Sequence, residues 1–342
     1  MSNFQRFLDS EIPFYFIAEG ADAHYGSLSR AKEMIVLAKD AGCDAIKFQH
    51  HIPDEEMLPD VPMSGNMQEP LYDFLKRNAL VIEQHVELSE YCKEIGIDYL
   101  CTPFSWKAAQ ELEAHISPIA YKIGSGELLD HPTHQKIMSF GKPMILSTGM
   151  STVKEIEFTY SIFAGFKEQL VLMNCTSAYP PKPEDVHLSF ISEMREKFPK
   201  AIIGHSDHTS GIETTIAAFC LGAKVFEKHV TVSHELTGPD SEVSLDFNQV
   251  KSLIEMLNKL DKSLRAKKEI HQSELEIREW AHRSLVYLSE LAEGHELSEG
   301  DIWGKRPGTG VPSFRYHEFI GKTLKRNVNA NTLISENDFV QD

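Results

Sequence analysis

Between residue 14 and about residue 260 the chain repeats one theme: a short β-branched or apolar run, then an amphipathic stretch. The strand-like runs are residues 14–18, 45–48, 99–102, 120–123, 144–147, 171–175, 201–205 and 224–229. Between them, apolar residues recur at the spacing of one helix face over 28–41, 82–95, 153–163, 190–198, 211–221 and 247–260. Strands that alternate with helices pair in parallel through right-handed crossovers. Eight such units over roughly 250 residues match the size of a closed (β/α)8 barrel. An open doubly wound sheet would carry G-x-G-x-x-G after its first strand, and residues 19–26, EGADAHYG, do not supply it.

Past the eighth unit the texture changes. The segment DKSLRAKKEIHQSELEIREWAH is charged and helix-favouring and reads as a linker helix. From Arg283, RSLVYLSEL and TLKRNVNANTLI alternate like strands, with turns at EGHELSEGD and RPGTG. The expected division is a barrel over 1–262, a linker helix over 263–282 and a small β-rich module over 283–342. That module is too small for chemistry of its own but able to cover a site.

Bulk properties exclude several classes. A hydrophobic content of 42% and a charged content of 25% are ordinary for a globular protein. The apolar runs are too short to cross a bilayer, and MSNFQRFLDSEIPF lacks a signal-peptide core, which places the chain in the cytoplasm by expectation. The five cysteines form no C-x-x-C and read as core residues rather than a disulfide framework. A net charge of −17 disfavours nucleic acid and anionic membranes as partners, but leaves room for a small anion held by a few inward lysines.

In a barrel, the C-terminal strand ends face the active-site mouth. Read in order they give Glu19; Lys47 and Gln49; Thr102; Lys122, Ser125 and Glu127; Ser147 and Thr148; Asn174, Thr176 and Ser177; Ser206, Asp207 and His208; Lys228 and His229. Singly, each has an ordinary explanation as a solvated lysine, a helix-capping serine or a packed histidine. Eight polar strand ends converging on one mouth do not. Lys47 and Lys122, with Thr102, Ser125, Ser147 and Ser206, suit phosphate and carboxylate oxygens. The small-residue turns GSGE and STGM let backbone amides approach an anion. His208 and His229 on neighbouring strands suit a divalent metal such as Mn²⁺ with open positions for substrate, a Lewis acid for a carbonyl. Glu19, Glu127 and Asp240 are acid/base or hydroxyl-binding candidates. The remaining histidines, the His50–His51 pair included, read as loop residues.

The ordered set IAEG…H-x-G, DAIKFQ, CTPFS, YKIGSGE, KPMILSTGM, NCTSAYP, IGHSDHTSGIE, CLGAKVFEKH and GPD-x-x-x-SLD resembles the sialic acid synthase family, and the RPGTG module resembles that family's antifreeze-like (SAF) domain. The resemblance covers about residues 13–340. It implies a TIM barrel that condenses phosphoenolpyruvate with an open-chain N-acetylated aldose, N-acetylmannosamine or a 6-deoxy diacetamido relative, giving a nonulosonic acid and phosphate by C–O cleavage. It implies Mn²⁺, with Mg²⁺ or Co²⁺ as alternatives, on His208 and His229. It implies phosphoenolpyruvate contacts from Lys47, Thr102, Lys122, Ser125, Ser147, Asn174 and Ser206, and sugar-side groups at Glu19, Glu127, Gln49 and Asp240. It further implies a homodimer in which one SAF domain caps the partner's barrel and Arg306 reaches the sugar's acyl group.

The chain departs from the family pattern at Ala23-His24-Tyr25-Gly26, where N-H-N-G is usual, at Ser241, where His is common, and over residues 50–70. These changes leave the phosphoenolpyruvate and metal residues intact and bear on the sugar. The alternatives are another phosphoenolpyruvate-dependent aldose-condensing synthase, or a catalytically dead carbohydrate-binding barrel.

Overall fold

The structure, a computed structural model, describes residues 2–62, 67, 69–166, 169–235 and 238–340. Within the divergent stretch 50–70, residues 63–66 and 68 therefore lie outside the described residues. The chain divides into two compact units, Met1–Arg265 and Ala266–Asp342.

In the first unit the strands are β1 (Tyr15–Glu19), β2 (Ala45–His50), β3 (Asp98–Pro103), β4 (Tyr121–Ile123), β5 (Met144–Ser147), β6 (Leu170–Cys175), β7 (Ile202–Asp207) and β8 (Val225–Thr231). They run in the order β3-β2-β1-β8-β7-β6-β5-β4, joined by parallel ladders throughout. β3 and β4, the ends of that path, lie side by side, so the barrel is nearly closed. A short β9 (Leu245–Asp246) pairs in parallel with the end of β8.

Successive side chains alternate between the barrel's inside and its outside. Tyr15, Ile17, Ala45, Leu100, Ala120, Ile145, Val171, Met173 and Val225 form one apolar cluster within the ring. Their neighbours Phe16, Ala18, Ile46, Phe48, Leu146, Leu172 and Phe226 pack outward against the helices. The inner cluster is closed from below by α1 (Asn3–Leu8), whose Phe4 meets Tyr15 edge-on at 5.0 Å between centroids. Asp98 accepts from the amides of Asn3 and Phe4 at 3.0 and 2.7 Å, a carboxylate at the positive end of the helix.

The helices follow as α2 (Leu28–Ala41), α3 (Pro53–Glu56), α4 (Leu71–Asn78), α5 (Ile82–Ile95), α6 (Trp106–His115), α7 (His131–Met138), α8 (Val153–Ile162), α9 (Ser189–Lys197), α10 (Glu213–Cys220), α11 (Phe247–Arg265) and α12 (Gln272–Ala281). α2 and α5 each stop at a left-handed glycine, Gly42 and Gly96. The continuous linker helix is corrected. α11 ends at Arg265, residues 266–271 are not helical, and α12 opens where Glu274 accepts from the His271 amide at 3.0 Å. Residues 262–280 are all exposed, and a helix with no buried face gains little to keep it continuous.

The second unit carries one antiparallel pair, β10 (Ser284–Tyr287) with β11 (Ile302–Lys305). Leu285, Tyr287, Ile302, Phe319, Leu324 and Phe339 form its core. The expected strand over TLKRNVNANTLI is instead a set of isolated bridges. No described helix is long and apolar enough to cross a membrane.

Candidate active site

The C-terminal strand ends open into a cavity of about 400 Å³. Twelve of the fourteen site residues expected from the sequence line it: Glu19, Lys47, Gln49, Thr102, Lys122, Ser125, Glu127, Ser147, Ser206, His208, His229 and Asp240. Asn174 does not. Met173 belongs to the inner cluster and Cys175 lines the cavity, so Asn174 faces outward and donates to the Val186 carbonyl at 3.1 Å. From NCTS the cavity takes Cys175 and Ser177. Asp207 and Lys228 are likewise on the outer parity, paired at 3.4 Å, with Thr214 and Thr215 donating to Asp207. Arg306 belongs to the second unit, where it donates to the Ala281 carbonyl at 3.2 Å and lies 5.1 Å from the Trp280 ring centre.

The floor is a buried network of charge. Lys47 pairs closely with Glu19 and donates to Thr102 at 3.0 Å. Lys122 donates to Ser147 at 2.8 Å. Between the two lysines stands Glu227, 3.6 Å from Lys47 and 3.5 Å from Lys122, accepting from Ser206 at 3.0 Å. The sequence reading passed over Glu227, although it shares the inward parity of His229. Buried charges persist only when paired. Burial alone would raise the Glu227 carboxyl, but Lys122 and Lys47 hold it well below its usual range. Burial alone would lower Lys47, but Glu19 and Glu227 carry it above its usual value. Lys122 is lowered, chiefly by burial. Above this floor the Gly149 turn runs so close that an added Cβ would sit 2.3 Å from Ser177 Oγ and would have to push the Ser177 and Ser125 hydroxyls aside. Glu127 has a buried Oε2 with no hydrogen bond, and burial raises its carboxyl.

His208 and His229 lie 5.2 Å apart between ring centroids. His208 Nδ1 is 2.8 Å from the Thr176 carbonyl, which commits that nitrogen as donor and leaves Nε2 over. Tyr179 stacks on His208 at 4.2 Å, and Asp240 lies 3.5 Å from His229 Nδ1. Burial lowers the His229 ring below its usual value, against the pull of Asp240. Burial also lowers His208, but Cys175, the Thr176 carbonyl and Glu227 outweigh it and bring the ring to about 9; a cation arriving at its free nitrogen would displace that proton. Among the described residues no group of three His, Cys, Asp or Glu is placed to hold a metal. Two imidazoles are too few for a closed structural site, and any ion held by them would have to draw its other ligands from substrate and water.

The loop reading is corrected for His50, which is the last residue of β2 and is buried against Glu111 and His85. His51 does lie in the loop after β2, but it lines the cavity, its ring 4.2 Å from Phe104 and its nitrogens 2.9 Å from Gln49 and from Glu56.

Fold and cavity together define a barrel enzyme with an anion floor and an imidazole pair at its mouth. The sequence matches the NeuB family over residues 34–269 and the SAF domain over residues 282–340, and the chain belongs to the NeuB family. It is 33% identical to the N,N'-diacetyllegionaminic acid synthase of Campylobacter jejuni, covering 94% of this chain and 98% of that one. It is 30% identical to the N-acetylneuraminate-9-phosphate synthase of Homo sapiens, covering 97% and 94%. The crystal structure of the N-acetylneuraminic acid synthetase of Leptospira borgpetersenii in complex with citrate superposes with a TM-score of 0.70 at 31% identity, over 78% of this chain and 90% of that one.

Proposed function

We propose that the chain is a nonulosonic acid synthase, joining phosphoenolpyruvate to an open-chain N-acetylated aldose. C3 of phosphoenolpyruvate forms the new bond to the aldehyde carbon. Water adds at C2, the C2–O bond breaks, and inorganic phosphate leaves with its bridging oxygen. The observation that carries this reading is the pair of buried lysines on the floor, facing the His208–His229 pair across one cavity. Lys47, Lys122, Thr102, Ser147 and Ser206 hold the phosphate and carboxylate as charge-assisted donors. Glu127, whose buried oxygen lacks a partner, holds the proton that moves during addition. Gln49, Glu19 and Asp240 orient sugar hydroxyls. His208 and His229 are the protein ligands proposed for Mn²⁺, which when bound supplies Lewis-acid polarisation of the aldehyde.

The second unit is proposed to cap the barrel of a partner copy, with the partner's Arg306 turned toward the sugar's acyl group. Trp280, Trp303 and Phe314 are exposed on that unit, more apolar surface than a free module needs.

The test is phosphate release from phosphoenolpyruvate and Mn²⁺ with a panel of N-acetylated hexoses. Release that disappears with chelator is the expected result. No release with any aldose, with or without Mn²⁺, would sink the reading.

A further inference from the structure

One side of the cavity carries a chain of hydrogen bonds that runs from the connection after β2 down to the floor. Glu56 Oε1, at the end of α3, lies 2.9 Å from His51 Nδ1, and His51 Nε2 lies 2.9 Å from Gln49 Oε1. Gln49 Nε2 donates to Glu19 Oε1 at 2.8 Å, and Glu19 pairs with Lys47. Glu19, Gln49 and His51 line the cavity. The Glu56 side chain behind them is 4% exposed, and its Oε2 has no hydrogen bond.

The direction of each bond is forced from the two ends. Glu19 is ion-paired with Lys47, and its Oε1 also accepts from the Ala21 amide at 3.1 Å, so toward Gln49 it can only accept. Gln49 must therefore turn its NH2 toward Glu19 and its carbonyl toward His51. A carbonyl only accepts, so His51 Nε2 carries a hydrogen. At the other end an ionised Glu56 also only accepts, so Nδ1 carries one too. The chain closes on a cationic ring. A neutral ring has one hydrogen for two acceptors. Placed on Nε2, it leaves bare Nδ1 against the Glu56 carboxylate. Placed on Nδ1, it leaves bare Nε2 against the Gln49 carbonyl, and the amide relieves this by turning over, which sets its carbonyl against Glu19.

The surroundings favour the cation. A buried carboxylate persists when it is paired, and the Glu56 ion pair is with His51. The ring lies nearly flat on Phe104, at 19° and 4.2 Å, the face that attracts a cation. Burial alone would lower His51, but Glu56, then Asp22 and Glu127, outweigh it and raise the ring above its usual value. His24 on the β1–α2 loop, His50 on β2 and His85 on α5 also face it, and all three are lowered by burial. Asp22, brought to about 6 by burial, is mostly ionised above neutrality, whereas Glu127 is raised by burial and is the other carboxyl that titrates beside the ring. The partner's Arg306, proposed above to reach the same cavity, stays charged throughout and produces no step with pH.

We infer that His51, backed by Glu56, is a positioning residue: it fixes which way the Gln49 amide faces, and so whether an N–H or a carbonyl meets the sugar hydroxyl. This rests on the synthase reading above, in which Gln49 orients the sugar, and adds the two residues and the hydrogen that orient Gln49. The ring's pKa is raised on folding, so the arrangement is present below that pKa and is lost as pH rises through it.

The experiment uses the full-length enzyme with Mn²⁺, phosphoenolpyruvate and a panel of N-acetylated hexoses, from about pH 6.5, where an ordinary histidine is half charged, to about pH 9. In the wild type, kcat/KM for the sugar falls along an alkaline limb. In Glu56→Gln the new amide donates to a neutral Nδ1 or accepts from a protonated one, so Nε2 keeps its hydrogen in both states and the limb flattens. His51→Ala raises the sugar KM roughly ten- to hundredfold, the loss of one charge-assisted bond, while the KM for phosphoenolpyruvate holds. His51→Gln, whose amide nitrogen reaches the place of Nε2, recovers most of it. An alkaline limb equal in wild type and Glu56→Gln overturns the proposal and leaves the synthase reading standing. So does a His51→Ala enzyme whose two KM values move together; if that variant folds poorly, the isosteric Glu56→Gln still decides. The ring is also read without turnover, from the imidazole nitrogen signals that disappear in His51→Gln. At pH 6.5 they should be mainly those of a charged ring, and a neutral ring there overturns the proposal whatever the activity. Silence with every sugar removes the synthase reading, and with it the role of Gln49 on which the proposal rests.

Discussion

The floor of the cavity and its rim are built on different principles. The floor comes from strands, where a residue's position fixes its direction. Lys47, Thr102, Lys122, Ser147, Ser206 and Glu227 all stand on the inward parity, one layer above the apolar plug of Ile17, Ala45, Leu100, Ala120, Ile145, Met173 and Val225. The rim comes from loops and short helices, where direction depends on packing. His24, His51 and α4 are held by contacts made far along the chain or across turns. The floor can bind an anion common to many reactions, whereas the rim determines what shares the cavity with it.

Two predictions press on the floor. The largest effect is expected from His208→Ala and His229→Ala, each lowering turnover by about 10³-fold or more if the pair holds the Lewis acid. Near-normal, chelator-resistant activity in both would remove the metal assignment. Next comes Glu227→Ala, which leaves Lys47 and Lys122 facing each other without the carboxylate between them. Breaking a buried ion pair costs about 3–5 kcal/mol, so the midpoint of chemical denaturation should fall sharply. An unchanged midpoint would mean the lysines find other partners and the floor is not a network.

A third prediction sets the rim apart by pH. His24 sits in the β1–α2 loop, fully buried, and its Nδ1 accepts from the Gly26 amide at 3.0 Å. That bond needs an unprotonated ring nitrogen. Burial, helped by His51 and Arg30, lowers His24 from 6.5 to about 4; burial likewise lowers His134 on α7 to about 4. The folded pKa lies below the unfolded one, so the unfolded chain binds more protons between them. Stability is fully present above about 6.5 and is lost as pH falls toward 4, by up to about 3 kcal/mol per histidine. Thermal melts from pH 7 down to pH 4.5 should show the loss, and His24→Gln should lessen it. A flat melting temperature over that window would show that the buried His24 and His134 do not resist protonation in the fold.

This difference also explains what was legible in the sequence. The barrel, its eight strands and the outlines of α2, α5 and α8 follow from periodicity. Most of the site followed too, because strand ends in a barrel point at one mouth. The phase of the alternation did not. In β6 both Leu170 and Leu172 on the outside and Val171 and Met173 on the inside are apolar, since barrel strands are buried on both faces. Nothing in LVLMNC says which parity faces in, and Asn174 was placed at the site by its strand-end position and by the family resemblance, neither of which fixes the direction of its side chain. The same ambiguity in VFEKHV drew attention to Lys228 and away from Glu227. The rim was illegible for a different reason: the partners of His51 and the seat of α4 are set by tertiary packing.

The smallest expected effects test that phase directly. Asn174→Ala removes the hydrogen bond to the Val186 carbonyl on the outer side of β6. It should lower stability by about 1–2 kcal/mol and leave the KM for phosphoenolpyruvate where it was. Ser177→Ala changes a cavity-lining hydroxyl beside Gly149. It should raise that KM several-fold with the melting temperature nearly unchanged. Each variant thus moves one observable and spares the other. An Asn174→Ala enzyme with a weakened phosphoenolpyruvate KM and an intact fold would show that β6 presents its other face to the substrate. Every inward assignment on that strand, Cys175 included, would then have to be turned over.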